Sequence, residues 1–313
     1  MINKKKNHKN TNGRRILLLS ILCLFGFCLV AQVRPQRNAA QPAKSKVYLL
    51  HSDVLKKSKD NSDAQILVGD VSFRHDSIYM YCDSACFYEK TNSLEAFHNV
   101  KFVQGDTLFL YGDYLFYDGN TQLAQVRNNV RMENRTTTLT TDSLNYDRIA
   151  NLGYFFDGGT LMDEQNVLTS DWGEYSPATK MSVFNYEVKL VNPQFTLTSD
   201  TLRYNTDTKI ASIVGPSDID SDENHIYSEL GFYYTQQGQA ELLERSVLTN
   251  DGKRMTGDSL FYDRNRGIGE AFRNVEFVDT ISKNMLTGDY CFYNQLTGYA
   301  FATDKAVATD FSQ

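Results

Sequence analysis

The sequence has few of the residues that build catalytic, metal or disulfide sites. Its 313 residues include 5 cysteines, 5 prolines, 5 histidines and one tryptophan. Cys82 and Cys86 are four residues apart, which on one face of a strand is about 13 Å and too far for a disulfide. Neither they nor the scattered histidines have metal-ligand spacing. No nucleophile–base pair, phosphate loop or carboxylate dyad is recognisable, so we predict a protein that is not an enzyme and has no cofactor and no metal.

The N-terminus has the layout of an export signal. Six Lys and Arg residues precede an almost unbroken apolar run over residues 16–31. This run is short for a bilayer-spanning helix, which needs about 20 residues. We predict that residues 1–31 are a cleaved signal peptide or an anchor in the inner membrane, and that 32–46, with Pro35 and Pro42, is a flexible linker.

Positive charge is scarce beyond that segment. The whole chain carries 32 Lys and Arg against 38 Asp and Glu, and six of the basic residues but none of the acidic ones lie in residues 1–31, which leaves a net charge of −12 for the rest. Phosphate-backbone binding needs a basic surface, so no nucleic-acid partner is expected.

Tyrosine and phenylalanine are abundant, and tyrosine recurs at a fixed interval. Tyr88 and six later tyrosines are each 29 residues apart, and Tyr293 follows after 31. Acidic residues stand four before most of these tyrosines, and Leu, Gly or Cys stands two before them. The pattern Thr-x-Asp-x-Leu-x-Tyr has a period of two, which predicts a strand with one distinct face.

Turn residues such as Asp118-Gly119-Asn120 follow each tyrosine, and a second strand follows the turn. We therefore predict about eight strand–turn–strand units of 29 residues over residues 47–313. Asp304 to Gln313 begin a further unit, so the array either continues in the natural chain or is completed by a neighbour.

The predicted fold class is all-β. One hairpin cannot bury its apolar face alone, whereas stacked hairpins form two sheets that face each other across a core. The expected architecture is a repeat-built β-jelly-roll or a taco-like two-sheet roll, with a closed β-solenoid as the alternative. We expect the leucines and tyrosines of the repeat to point inward and the acidic residues to lie near the strand start, facing water or accepting N–H groups.

If the two sheets splay, a long apolar trough opens between them. Its predicted lining comes from the Leu-x-Tyr pairs and from the aliphatic residues that begin the second strands. These residues are Leu115, Tyr117, Leu144, Tyr146, Leu202, Tyr204, Leu260, Tyr262, Leu123, Leu152, Ile210 and Ile268.

The motif resembles the repeat of the OstA/LptA family. The similarity is carried by Gly257-Asp258-Ser259-Leu260-Phe261-Tyr262-Asp263 with Arg273-Asn274-Val275, and by Thr141-Asp142-Ser143-Leu144-Asn145-Tyr146-Asp147. Cys82-Asp83-Ser84-Ala85 and the residues after Glu89 are similar to the OstA-like branch of Bacteroidetes. The resemblance covers about residues 47–310.

The resemblance implies a periplasmic β-jelly-roll that carries lipopolysaccharide between membranes. The implied partners are the acyl chains of lipopolysaccharide or lipid A, and other OstA/LptA-like domains that join through edge strands, including an outer-membrane translocon partner. A structural or adhesive β-solenoid that binds glycans or proteins is the alternative, and an open apolar trough distinguishes the carrier from it. A polysaccharide-cleaving β-helix is disfavoured because the acidic residues are spread along the repeat.

Overall fold

The computed structural model describes residues 45–58, 63–221, 224–244 and 246–311. The predicted signal or anchor and most of the predicted linker lie outside these residues. The described residues form strands and no helix, which confirms the all-β prediction. None of them belongs to a helix long and apolar enough to cross a membrane.

Twenty-four strands form one continuous antiparallel sheet. Their bounds are Tyr48–His51 (β1), Val54–Lys57 (β2), Gln65–His75 (β3), Ile78–Tyr88 (β4), Ser93–Gln104 (β5), Leu108–Asp118 (β6), Leu123–Asn134 (β7), Thr137–Asp147 (β8), Leu152–Phe155 (β9), Gly159–Asp163 (β10), Asn166–Ser170 (β11), Trp172–Tyr175 (β12), Met181–Asn192 (β13), Phe195–Asn205 (β14), Ile210–Ser221 (β15), Asn224–Tyr234 (β16), Gln239–Glu244 (β17), Ser246–Asn250 (β18), Lys253–Gly257 (β19), Ser259–Asp263 (β20), Ile268–Asp279 (β21), Asn284–Asn294 (β22), Tyr299–Thr303 (β23) and Val307–Asp310 (β24).

Each long strand pairs antiparallel with the strands that precede and follow it in the chain, so the sheet is a meander. Short strands such as β9 and β10 lie end to end and together take the place of one long strand, pairing with β8 along its length. Buried and exposed residues alternate along each strand, as in β6, where Leu108, Leu110, Leu115 and Tyr117 are buried. Period-two apolar residues therefore place one face of the sheet in the core.

A β-bulge interrupts the pairing near the middle of the long strands. Two consecutive residues adopt positive φ there, such as His98 with Asn99 (φ 61° and 49°) and Arg273 with Asn274 (φ 61° and 48°). The pairing register shifts at the same points. Because a bulge bends the strand that carries it, the whole sheet folds along this line of bulges.

The fold creates two walls that face each other across one core. We call the side that holds Leu115 and Tyr117 the tyrosine wall, which includes residues 84–88, 93–97 and 114–118. The other side is the opposite wall, which includes residues 78–81, 100–104 and 108–112. The ring of Phe102 on the opposite wall lies 6.1 Å from that of Tyr117 and 6.0 Å from that of Tyr146. The Leu-x-Tyr face therefore points inward, as the repeat predicted.

The first tyrosine of the series does not follow this rule. Tyr88 is half-buried on the outer face and its hydroxyl donates to Glu95, while Phe87 is the inward aromatic, 6% exposed. Asp83 precedes Asp113 by 30 residues, so the first unit is one residue longer than the others. Placing Tyr88 in register with Tyr117 was therefore wrong, because a shift of one residue moves a side chain to the other face.

Candidate functional site

The candidate site is the interior of the folded sheet, where eight of the predicted groove residues lie together. Leu115, Tyr117, Leu144, Tyr146, Leu202 and Tyr204 are 0% exposed, and Leu260 and Tyr262 are 2% exposed. They fill the space between the walls. The structure therefore brings these residues into one row, and the row is packed by side chains from the opposite wall.

The four residues that begin the second strands occupy a different place. Leu123, Leu152 and Ile210 are half-buried at the strand starts, and Ile268 is 7% exposed. Leu123 pairs with Asp118 and Asp147, on the face opposite to that of Tyr117. The prediction that Leu123 lines the inner wall beside the tyrosines is therefore wrong. Leu152 and Ile210 begin their strands in the same way, so the same correction applies to them.

The inward position of those strands belongs to the small residue that comes next. Ala124 pairs with both Tyr117 and Tyr146, and Ala211 pairs with Tyr204 and Tyr233. Tyrosines and small residues thus alternate across the inner face. A small side chain between two rings leaves each ring room to pack, which explains why the repeat has a small residue seven places after the tyrosine.

The tyrosine hydroxyls reach polar groups at the tips of the opposite wall. Tyr117 lies 2.6 Å from Nδ1 of His75, Tyr146 donates to Gln104 at 3.3 Å, and Tyr175 donates to Asn134 at 3.2 Å. Each acceptor lies 41 or 42 residues before its tyrosine. These bonds close the interior along one seam, where the hairpin turns of the two walls meet. The sequence pattern around the tyrosines did not reveal these partners, although they are the last residues of β3, β5 and β7 and recur after 29 and 30 residues.

A buried ion pair lies at the middle of this seam. Lys209 Nζ contacts both carboxylate oxygens of Asp163 at 2.7 Å, and Tyr204 donates to Oδ2 of Asp163 at 2.8 Å. Asp163 is 0% exposed and Lys209 5% exposed. Asn166 donates to both Tyr204 and Thr235, so the network ties the turns of both walls together. Burial and the Asp163 charge both raise the pKa of Tyr204, which therefore stays a hydrogen-bond donor.

Further polar contacts cross the seam toward its two ends. Arg148 contacts Asp76 at 3.1 Å on the N-terminal side. Arg264 donates to Gln194 on the C-terminal side and lies where a side chain at Gly238 would be. Beside Asp76, His75 is completely buried, and burial lowers the pKa of its imidazole although the charge of Asp76 opposes this.

The repeated acidic residues have a structural role at the bend. Asp113 accepts a 2.6 Å hydrogen bond from Asn129, and Asp258 accepts bonds from Asn274 at 3.0 and 3.1 Å. Each of these asparagines has positive φ, at 52° and 48°, a conformation that asparagine tolerates well. Asp113 and Asp258 thus each fix the bulge that faces them. Among the described residues no group of His, Cys, Asp or Glu could hold a metal ion.

The C-terminal part of the interior is less completely covered than the rest. The gap among Leu248, Met255, Phe277 and Tyr293 is too small to admit a water molecule. Leu286, Ala300 and Ala302 are only partly buried against the core beyond it. This end of the interior is therefore the most accessible from outside.

Within the residues that the structure describes, the strands at both ends of the sheet have one free edge each and expose apolar residues. At one end β1 and β2 expose Tyr48, Leu50 and Leu55 by 53%, 50% and 57%, and at the other end β23 and β24 expose Tyr299 and Val307 by 58% and 57%. β1 and β2 run from the opposite wall to the tyrosine wall, whereas β23 and β24 run in the reverse direction. Placing one edge beside the other would continue the antiparallel meander.

An all-β meander with a tyrosine-filled interior and two open edges defines a repeat β-protein. The chain belongs to the OstA-like protein family, whose model matches residues 44–200, half of its length. The family resemblance noted from the sequence is thereby confirmed.

Among solved structures, the chain is similar to LptH, described as the LptA homologous periplasmic component of the conserved lipopolysaccharide transport device from Pseudomonas aeruginosa. The identity is 19%, the match covers 37% of this chain and 96% of that chain, and the TM-score is 0.35. No curated protein matches the chain.

Proposed function

We propose that this protein is a non-enzymatic, periplasmic carrier or bridge for lipopolysaccharide in outer-membrane biogenesis. Membership of the OstA-like family is the observation that carries the proposal. On this view residues 1–31 direct export and are either cleaved or retained as an inner-membrane anchor, 32–46 is a linker, and residues 47–313 form a jelly-roll of about eight 29-residue units.

The interior is the proposed binding site for acyl chains. Each CH₂ group that moves from water into an apolar interior contributes about 0.8 kcal/mol, so several chains supply a large driving force. The buried Leu-x-Tyr row offers such an interior, and the chains enter only when the two walls part along the seam. The accessible C-terminal end, beside Leu286 and Ala302, is the proposed point of entry.

The edges are the proposed contacts with similar domains, including an outer-membrane translocon partner. Exposed N–H and C=O groups on an edge strand are satisfied by pairing with another sheet. Within the chain, the residue before each bulge pairs with the residue after the facing acid, as in Phe97 with Tyr114 and Asn185 with Thr201. The same register between two copies pairs Thr303 with Val54.

A test of stacking follows from this register. A protein that carries both Val54→Cys and Thr303→Cys should form disulfide-linked multimers under mild oxidation, whereas each single variant should not form them. The matched control joins Leu55→Cys with Thr303→Cys, since a slip of one residue places the two thiols on different faces. Equal cross-linking of both pairs would contradict the register, and no cross-linking would contradict stacking.

A structural β-solenoid without lipid remains the second candidate because of one observation. The described interior is filled by side chains, with Tyr117, Tyr146 and Tyr204 all 0% exposed. A filled, hydrogen-bonded core is what a purely structural protein requires. The two functions therefore differ in whether the walls separate to admit a ligand.

Photo-crosslinking in cells distinguishes the two candidates. A photoreactive residue replaces Leu286 or Ala302 at the accessible end of the interior, or Leu190 deep within it. The matched control is Lys189, which lies directly before Leu190 in β13 and faces outward. Lipopolysaccharide adducts at the interior positions and not at Lys189 support the carrier. A folded, exported protein without adducts at any interior position supports the structural solenoid.

A further inference from the structure

The outer surface of the opposite wall carries an unusual arrangement near the N-terminal end. Two neighbouring rows of side chains run across strands β1 and β3 to β7 and contain several aromatic and basic residues. The first row alternates ring and cation through Tyr81, Lys101, Tyr111 and Arg131. The second row includes Tyr48, Arg74, Tyr79 and Phe109, with Val103 between the last two and Glu133 after Phe109. We call the eight aromatic and basic residues the aromatic–basic face.

The register places the members of the first row directly opposite one another. Tyr81 pairs with Lys101, Lys101 with Tyr111, and Tyr111 with Arg131. Directly opposed side chains on one face have Cβ atoms about 5 Å apart, so the row is continuous. Tyr81 and Tyr111 are two strands apart, which corresponds to about 9.5 Å.

Cation–π contacts hold the basic groups over the rings. The guanidinium of Arg131 lies 4.4 Å from the centre of the Tyr111 ring, and Lys101 Nζ lies 5.6 Å from that of Phe109. Tyr79 and Tyr81 remain 39% and 42% exposed. The face therefore presents flat aromatic surfaces to solvent with positive charge fixed between them.

The charge of this face is opposite to that of the protein. The chain as a whole has a net charge of −6, yet the two rows contain three cations, with Glu133 beside Arg131 as their acid. Among the described residues, neither Arg74 nor Lys101 forms an ion pair with a carboxylate, whereas Arg148, Lys209 and Arg254 elsewhere do. Unpaired cations on an acidic protein favour an anionic ligand.

We propose that the aromatic–basic face binds an anionic oligosaccharide, namely the phosphorylated sugar portion of the transported lipopolysaccharide. Sugar rings have apolar C–H faces that pack on exposed aromatic rings, and phosphate groups accept hydrogen bonds from Arg and Lys. In the first row, the alternation of ring and cation across successive strands matches a chain of sugars that bear phosphates. A partner protein would instead need a larger apolar centre than these half-exposed tyrosines provide.

This proposal rests on the proposed function, because it assigns the sugar portion of the same ligand to the outer surface and the acyl chains to the interior. The two sites lie on opposite faces of the same strands, since Tyr81 and Lys101 alternate with the core residues Met80 and Phe102. The sugar chain would therefore lie along the outside of the wall whose inside contacts the lipid.

Binding of a deacylated, phosphorylated lipopolysaccharide oligosaccharide to the purified full chain tests the proposal by calorimetry. The double variant Arg74→Gln/Lys101→Gln should weaken binding at least tenfold, and Tyr81→Ser should do the same. Lys189→Gln is the matched control, an exposed cation on the same outer wall whose paired residues Thr169 and Thr198 are not aromatic. It should change the affinity less than twofold.

Three results would overturn the proposal: no binding by the unaltered chain, equal weakening by Lys189→Gln, or equal affinity for the enzymatically dephosphorylated oligosaccharide. Unchanged thermal unfolding of each variant shows that it is folded. Lipid adducts in the interior without oligosaccharide binding would overturn this inference alone. Oligosaccharide binding that depends on Lys101, without interior adducts, would overturn the acyl-chain carrier alone.

Discussion

The hydroxyl of Tyr204 donates a 2.8 Å hydrogen bond to the carboxylate of Asp163 on the facing wall. The same carboxylate contacts Lys209 Nζ at 2.7 Å through both oxygens. A buried carboxylate is stable only when its charge is paired and its lone pairs are hydrogen-bonded. The contacts of Asp163 with Tyr204 and Lys209, which we call the clasp, therefore hold the two walls together. They also raise the free energy needed to separate the walls, which matters for any ligand that enters between them.

Removal of one partner of the clasp should be strongly destabilising. Asp163→Leu leaves Lys209 buried with only the exposed Glu164, at 3.2 Å, as a carboxylate partner, and we expect a loss of about 3 kcal/mol in the free energy of unfolding. Asp163→Leu combined with Lys209→Met should recover most of this loss, because two apolar side chains need no charge partner.

Urea unfolding monitored by circular dichroism measures both changes. Asp142→Asn, at an exposed residue of the bend, is the control and should change stability by no more than about 0.5 kcal/mol. A single variant as stable as the unaltered protein would show that Lys209 finds another partner or water.

The tyrosines should differ in what their hydroxyls contribute. Tyr204→Phe removes one donor to Asp163 and should cost about 1–3 kcal/mol, because the buried carboxylate keeps Lys209 but loses a hydrogen bond. The oxygen of Tyr233 is buried near the guanidinium of Arg264, but among the described residues it makes no hydrogen bond of good geometry. Tyr233→Phe should therefore be neutral or slightly stabilising in the same unfolding measurement, and a loss as large as that of Tyr204→Phe would contradict this assignment.

Stability should fall as the pH drops below about 6.5, and His75 should be one cause. Burial lowers the pKa of His75 from its ordinary value of 6.5, with Arg148 acting in the same direction and Asp76 and the Ser45 contact opposing them. The unfolded chain then takes up a proton at a pH where the folded chain does not, so acid favours the unfolded state. The contribution is complete above pH 6.5 and is lost progressively as the pH falls toward the folded pKa.

Urea midpoints at pH 7.5 and pH 5.5 measure this effect. His75→Gln should show a smaller decrease between the two values than the unaltered protein. His98→Asn, at an exposed position of the bend where asparagine tolerates the φ of 61°, is the control and should keep the full decrease. An unchanged decrease in His75→Gln would assign it to other groups.

The bend should depend on the asparagine of the bulge. Asn129→Ala places a Cβ at a φ of 52° without a side chain to bond Asp113, and we expect a cost of about 1–2 kcal/mol. Asn129→Gly relieves the backbone strain but not the lost bond, so its stability should lie between those of Asn129→Ala and the unaltered protein. Thermal unfolding of the three proteins checks this order.

Much of the fold could be predicted because each unit of the repeat alternates inward and outward residues, as a β-strand does. The period-two pattern ending in Tyr117, Tyr146, Tyr204 and Tyr262 identified the inward face, and all four rings are buried. Many units with the same pattern allowed the family to be recognised from residues that would be uninformative singly. The repeated acidic residues were expected near the strand start, facing water or N–H groups. This was wrong for Asp113, which lies in the middle of β6 at the bend and bonds Asn129, 16 residues later.

Other features of the structure could not be predicted from the repeat period alone. Phe87 replaces Tyr88 as the inward aromatic because one extra residue in the first unit changes the parity of the strand. Leu123 is apolar and its position recurs in the repeat, yet Ala124 is the inward residue. The reason is that a large side chain does not fit between the neighbouring rings of Tyr117 and Tyr146. The aromatic–basic face joins residues as distant in sequence as Tyr48 and Arg131, and only strand pairing makes them neighbours.

The sequence by itself determined the strand class, the 29-residue period, the inward Leu-x-Tyr face and the family, because each follows from side-chain alternation within a unit. Only the tertiary structure decided that the walls meet in a hydrogen-bonded seam and that Asp163 and Lys209 form its buried ion pair. Those contacts join residues 46 positions apart, across a bend made by bulges. The physical reason is that alternation fixes which face a residue occupies, whereas its partner across the core depends on how the whole sheet folds.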